Sequence, residues 1–308
     1  MSESYDDYRR YLDPAVLAQI GALDLRARLL VEGYISGMHR SPAHGFSVEF
    51  AEHRKYCQGD DLRFLDWKVY GRTDKHYIKE YEQETNLRLL LAVDCSESMS
   101  YRSAASPMSK REYAITIAAA MSYLALQQAD AVAVATFDDV VRRTSRASNN
   151  PGKWKGVVHE LSHAPVGPRT SFRAVFDALA ETLAHRHLVV ILSDLFGPSA
   201  EITAGIQHLR HQRHEPLVLQ VLDHAELTFP FTRPLELVGL ESSGRQVAEP
   251  RVVREQYLKS IQGFIGEIRR ACHEHRTDFE VLDTSAPVNI ALAAYLSTRA
   301  ARARRFAG

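Results

Sequence analysis

From Leu87 onward, near-continuous apolar runs alternate with stretches of helical periodicity. The apolar runs are LRLLLAV (87–93), AVAVATF (131–137), HLVVILS (187–193) and PLVLQVL (216–222). Between them the spacing predicts helices near 110–128, 152–162, 171–186 and 199–213. After Asp223 a polar piece carries two short strand candidates, LELVGL (235–240) and GRQVAE (244–249). A helix near 252–276, a strand DFEVL (278–282) and a last helix near 288–305 follow. Strands that are apolar on both faces, separated by amphipathic helices, belong to a mostly parallel sheet covered on both sides. The predicted fold is therefore α/β, a doubly wound sheet over 87–308, with a candidate β insertion at 224–251.

Residues 1–86 have another texture. Leu12, Val16, Ile20, Leu23, Leu25, Leu29 and Leu30 suit one or two helices, with Asp13 as a cap before Pro14. Residues 33–86 are rich in glycine, aromatics and charge, with alternating pieces FSVEF (46–50) and HYIKEYE (76–82). They predict a small β-rich subdomain.

Composition narrows the function classes. Hydrophobic residues make up 45% of the 308 and charged residues 25%, the values of an ordinary globular protein. Lys+Arg and Asp+Glu balance at 38 each, so no global field attracts nucleic acid or an anionic membrane. Cys57, Cys95 and Cys272 are scattered and odd in number, which suits free thiols in a reducing compartment. The start, MSESYDDYRRYLDP, is too charged for a secretory signal. The weakly polar stretch 114–137 is broken by Gln127, Gln128 and Asp130, unlike a span of about 20 apolar residues. A cytoplasmic protein without a membrane span is expected.

Candidate chemistry begins where the first apolar run ends, in VDCSESMS (93–100). Residues two apart in an extended loop project to one side, so Asp94, Ser96 and Ser98 can converge on one point. One carboxylate and two neutral hydroxyls form a sparse oxygen shell for a hard cation such as Mg²⁺, and leave a coordination position for an outside ligand. The same residue types also form turns and helix caps. Asp138, Asp194, Asp223 and Asp283 likewise end strands, and parallel strands deliver their carboxyl ends to one edge. Turn formation and capping are the preferred reading for Asp223 and Asp283. Asp194 ends the most apolar strand, expected to be central, and can face Asp94 across a cleft. Thr170, in VGPRTSF (166–172), either caps the following helix or supplies another oxygen while Ser171 takes over the cap.

Other constellations carry less. In GDDLRFLDW (59–67), Asp60, Asp61 and Asp66 lie near Arg63, with Arg54 and Arg72 not far off; ion pairs and turn contacts are preferred over acid–base chemistry. His39, His44 and His53 lack zinc spacing. His208, His211 and His214 drift around a helix at steps of three, which predicts a solvated face. His273 and His275 are equally weak. No G-x-G-x-x-G follows Asp94 and no Walker motif occurs, which disfavours a self-contained nucleotide-binding enzyme. Cys95 points away from its neighbour Asp94, and the basic ending ARARRFAG suits a helix C-terminus.

Asp94-x-Ser96-x-Ser98, Thr170 before a helix, and Asp194 ending a central strand resemble the metal-ion-dependent adhesion site of von Willebrand factor type A domains. The longer stretch HRSPAHGFSVEFAEHRKYCQGDDLRFLDWKVYGRTDKHYIKEYEQETNLRLLLAVDCSESM (39–99) resembles the signature of a bacterial family catalogued as domain of unknown function fifty-eight. Its members often accompany MoxR-type AAA+ ATPases. The resemblance implies a Rossmann-like domain with one divalent cation, Mg²⁺ or else Mn²⁺ or Ca²⁺. It implies direct contacts from Ser96, Ser98 and Thr170, and direct or water-mediated ones from Asp94 and Asp194. In type A domains a partner's acidic side chain commonly fills the remaining position. Many family members carry transmembrane helices ahead of the signature; none is recognisable here, and membrane anchoring is not carried over. The expected function is a non-enzymatic, metal-dependent interaction module that serves a MoxR-type ATPase as adaptor or partner. The alternative is a metal-dependent hydrolase of phosphoesters or esters.

Overall fold

The computed structural model describes residues 48–55, 71, 77–83, 88–127, 129–168, 170–238, 244–286 and 288. The chain divides into two compact units, residues 39–86 and the remainder. In the smaller, β1 (Val48–Lys55) pairs antiparallel with β2 (Tyr77–Gln83), with one irregularity between Phe50 and Glu52. The stretches 12–32 and 289–305, expected to be helical, lie outside the described residues.

The larger unit is built on β3 (Arg88–Asp94), α1 (Lys110–Gln127), β4 (Ala131–Phe137), β5 (Val141–Thr144), α2 (Trp154–Ser162) and α3 (Phe172–Thr182). It continues with β6 (Leu188–Ser193), α4 (Ser199–His211), β7 (Glu215–Leu222), α5 (His224–Thr228), β8 (Leu235–Val238), β9 (Arg245–Ala248), α6 (Pro250–Glu274) and β10 (Asp278–Asp283). Six strands form one sheet in the order β10-β7-β6-β3-β4-β5. All pairings are parallel except that of β4 with β5. The expected mostly parallel α/β sheet is thus observed, with an antiparallel edge strand that the periodicity does not reveal. Only four residues long and exposed over Arg142–Thr144, β5 has too little buried face to leave an alternating pattern. Strands β8 and β9 pair only with each other, in the polar stretch after β7.

Alternation along β3 sends its side chains into two cores. Leu89, Leu91 and Val93 pack with Ile117 and Met121 of α1 and Leu161 of α2. Leu90 and Ala92 pack with Phe172 and Phe176 of α3, Ile202 and Ile206 of α4, and Ile268 of α6. Every residue of β6 is buried, as a central strand covered on both faces requires. Because β4 lies on one side of β3 and β6 on the other, the chain reverses direction across the sheet between β3 and β6. That reversal is a topological switch point, and it leaves a crevice beyond the carboxyl ends of the two strands.

Two local expectations are corrected. The helix expected over 171–186 stops at Thr182. The helix expected over 199–213 stops at His211, and Arg213 takes a left-handed backbone with φ 65°. That turn sends His214 inward, where it is buried and its Nδ1 accepts a hydrogen bond from the His187 amide at 3.3 Å. His214 is therefore not on the solvated face predicted for it. His208 instead bonds Asp177 across α3 and α4. Among the described residues no helix is long and apolar enough to cross a membrane.

Helices α3 and α4 approach closely at Gly205, where a Cβ would stand 2.3 Å from Phe176 Cδ2 and 2.7 Å from its Cβ. Rotating the ring cannot clear a clash with Phe176 Cβ. Gly205→Ala gains up to about 1 kcal/mol of helix propensity, but overpacking costs about 1–3 kcal/mol. The expected net result is a lower urea midpoint with an unchanged m-value.

Candidate functional site

The site forms at the switch point because the register of β3 and β6 pairs Val93 with Leu192. Asp94 therefore lies beside Ser193, and Asp194 follows one residue on. All three are almost fully buried. The Asp94 carboxylate accepts hydrogen bonds from the Ser96 amide at 2.9 Å and from Ser193 Oγ at 2.5 Å. Thr170 Oγ1 donates to both of its oxygens, at 3.2 and 3.3 Å. Ser96 and Ser98 hydroxyls lie 3.1 Å apart. Four of the five residues singled out in sequence (Asp94, Ser96, Ser98 and Thr170) thus form one connected cluster.

The alternatives left open for Thr170 are resolved by these bonds. Its hydroxyl is committed to Asp94, while Ser171 occupies the N-cap position of α3 without a side-chain capping bond. The loop that carries Thr170 is tied to the β3 loop by the Gly167 amide donating to the Cys95 carbonyl at 3.0 Å. The Ser171 amide donates to the Asp138 carbonyl at 3.3 Å. Gly167 is required there, since a Cβ would stand 1.9 Å from Asp138 Oδ2. Asp138 itself serves the turn: Arg142 Nε donates to its two oxygens at 2.7 and 2.8 Å.

Asp194, the fifth residue, has no direct hydrogen bond to the other four. Its Oδ2 accepts from Lys110 Nζ at 2.8 Å and its Oδ1 from the Phe196 amide at 3.1 Å. Lys110, at the first turn of α1, is fully buried and also donates to Glu226 Oε1 at 2.8 Å. The Phe196 ring lies against the ammonium, its centroid 4.8 Å from Nζ. Leu195 holds the corner after β6 with φ 60°, a strained position for a leucine, stabilised by its amide donating to Ser193 Oγ at 2.9 Å.

Electrostatics separate the two aspartates. Burial first, and then the charge of Asp194, push the Asp94 carboxyl up to about 7, against the opposing hydrogen bonds of Ser193 and Ser96. Among the described residues none of its hydrogen-bond partners is a cation. Burial pulls the Lys110 ammonium down, but Asp194 and Glu226 outweigh it and Lys110 is pushed up to about 12. Burial also raises the Glu226 carboxyl, against the attraction of Lys110.

The remaining strand-terminal acids are structural. Asp223 caps α5 in a reciprocal box with Glu226, whose Oε2 accepts the Asp223 amide at 2.8 Å. Asp283 bonds His224 at 2.8 Å and accepts the Ser285 amide at 2.8 Å. Cys95 is buried, and burial pushes its thiol up to about 11.

The family described as "Protein of unknown function DUF58" matches residues 52–263, more than half of the chain. The chain belongs to the DUF58 family. Uncharacterized proteins Rv1480 of Mycobacterium tuberculosis and Mb1516 of Mycobacterium bovis are each 29% identical over 273 residues, covering 86% of this chain and 80% of theirs. The crystal structure of a conserved hypothetical protein, BatB from Bacteroides thetaiotaomicron, is 12% identical, with a TM-score of 0.43, covering 70% of this chain and 99% of that one. That of an aerotolerance-related membrane protein from Bacteroides fragilis is 13% identical, with a TM-score of 0.43, covering 69% and 99%.

Within this DUF58 chain the donor set suits a hard divalent cation. It consists of oxygens alone, from Asp94, Ser96, Ser98 and Thr170 with Asp194 adjacent, and among the described residues its buried Asp94 has no cation as a hydrogen-bond partner. Among the described residues no group of three or more His, Cys, Asp or Glu side chains forms a metal centre. Sequence reasoning missed Ser193, Lys110 and Glu226. Lys110 was detectable, because it stands on the same helical stripe as Tyr113, Ala114, Ile117 and Met121, all of them buried. Glu226 was detectable as the fourth residue of the D-x-x-E box that opens α5.

The raised Asp94 carboxyl makes stability depend on pH. Between 3.8 and about 7 it is protonated in the folded chain and ionised in the unfolded one. The folded state binds more protons there, so in cation-free buffer this contribution is lost as pH rises through the window. Glu226 acts in the same direction, whereas His187 and His214, held low by burial, act in the opposite sense below 6.5. The informative quantity is the difference in unfolding free energy between wild type and Asp94→Asn. It is expected to fall as pH rises from about 4 to about 7, and a flat difference contradicts the assignment.

Proposed function

We propose that this protein is a non-enzymatic interaction module of the von Willebrand factor A type, whose contact with a partner depends on a divalent cation. Asp94, Ser96, Ser98 and Thr170, with Asp194, would hold Mg²⁺, Mn²⁺ or Ca²⁺, and the cation would supply a Lewis-acidic position for a carboxylate on another protein. The observation that carries this reading is Asp94. A carboxyl buried at the switch point, served among the described residues by neutral donors only, has no compensation for its ionised form, which a cation would supply.

The surroundings support a binding role. Thr170 is half-buried, so the cluster has one side toward solvent. Val140 and Val166, 46% and 48% exposed, stand on the two loops that meet around Asp138 and offer a partner apolar contact beside the polar centre. A MoxR-type AAA+ ATPase is the proposed partner, on the strength of the family signature alone. The alternative is a metal-dependent hydrolase using the same cation; a nucleophilic route through Cys95 has less support, because Cys95 is buried with its thiol raised to about 11. Ser96 and Ser98 are bonded to each other and have no histidine among their hydrogen-bond partners.

Thermal unfolding with added Mg²⁺ or Mn²⁺ tests the reading. Saturating ion, at about one hundred times Kd, is expected to stabilise the fold by about 2.7 kcal/mol. Asp94→Ala is expected to abolish the shift, and EDTA to release a purified MoxR-type ATPase. No shift in wild type, or an equal shift in Asp94→Ala, overturns the proposal.

A further inference from the structure

The buried Lys110 bridge is the largest electrostatic feature of the edge that the cation-binding reading does not use. Its ammonium is 0% exposed and makes 2.8 Å bonds to Asp194 and to Glu226. The partner acids are themselves held: Asp194 by the Phe196 amide and Glu226 by the Asp223 amide, each through its second oxygen. With the Phe196 ring packed against it as well, the ammonium has no freedom to leave. A fixed positive charge is therefore bonded to Asp194, the aspartate adjacent to the hydroxyl cluster.

We propose that Lys110 is a resident counter-cation that sets the ion affinity of this site low and makes ion retention depend on an anionic group from the partner. The inference rests on the cation-dependent reading above. Lys110 offsets the charge of Asp194, so a divalent ion meets less negative charge than two free aspartates would present. Held that way, the ion keeps more residual positive charge, and an incoming carboxylate is attracted more strongly. Affinity for free ion and dependence on a carboxylate thus move in opposite directions, and one side chain sets both. Glu226 tempers the effect by sharing the ammonium, so its neutralisation strengthens the hold of Lys110 on Asp194.

The test is calorimetric titration and thermal shift with Mg²⁺ and Mn²⁺, each with and without acetate as the carboxylate probe. Lys110→Met leaves two buried carboxylates unpaired and is liable to unfold; K110M/E226Q removes one of them together with the lysine and carries the test in that case. Lys110→Met is expected to bind free ion about tenfold more tightly than wild type, from the loss of one nearby positive charge, and K110M/E226Q by a smaller factor because the lost Glu226 charge offsets part of the gain, each with a smaller gain from acetate. Glu226→Gln alone is expected to weaken ion binding. Wild-type affinity and wild-type acetate dependence in K110M/E226Q overturn the role of Lys110, while ion binding that Asp94→Asn abolishes keeps the cation site itself. Absence of ion binding in wild type and in every lysine variant overturns both.

Discussion

The carboxylate of Asp94 is the constraint around which the edge of the sheet is arranged. It sits at the end of β3 with no exposed surface, where an ionised group costs several kcal/mol unless it is bonded or paired. The chain answers with donors from three separate places: the Ser96 amide from its own loop, Ser193 from the neighbouring strand and Thr170 from the loop before α3. Each of these elements is in turn anchored elsewhere, through Gly167 to Cys95, through Ser171 to Asp138 and through Leu195 to Ser193. The site is thereby organised in advance of any ligand, and the backbone strain at Leu195 is one cost of that organisation.

The second aspartate is treated differently. Asp194 is only one residue past the β6 position that touches Asp94, yet it is satisfied by a buried lysine rather than by hydroxyls. Burial first, and then the charge of the neighbouring Asp194, hold the Asp94 carboxyl up. Lys110 relieves one of the pair and leaves the other in need of positive charge. The asymmetry follows from the fold: Lys110, in the first turn of α1, is bonded both to Asp194 just after β6 and to Glu226 of α5.

Hydroxyl-rich oxygen clusters and buried ion pairs are separately ordinary. Their juxtaposition at a switch point sets a buried lysine pair beside a buried carboxylate bonded by hydroxyls. Val140 and Val166 stand exposed on the loops that meet around Asp138.

The alternation of apolar runs and amphipathic helices was enough to read the mostly parallel sheet, because strands buried on both faces cannot hide their composition. The D-x-S-x-S spacing after β3 was enough to nominate Asp94, Ser96 and Ser98, because an extended loop has a fixed side-chain period. Helix ends at Thr182 and His211, the edge strand β5 and the inward turn of His214 were not legible, since each is decided by what the backbone meets after folding. The same holds for the partners of the site. Thr170, 76 residues from Asp94 in sequence, could have capped its own helix, and only the docking of its loop on the β3 loop decided otherwise. Lys110 and Asp194 are 84 residues apart, and only the fold brings the first turn of α1 to the end of β6. Local periodicity is written in neighbouring residues, whereas the field at a buried carboxylate is the sum over whatever the fold brings near it.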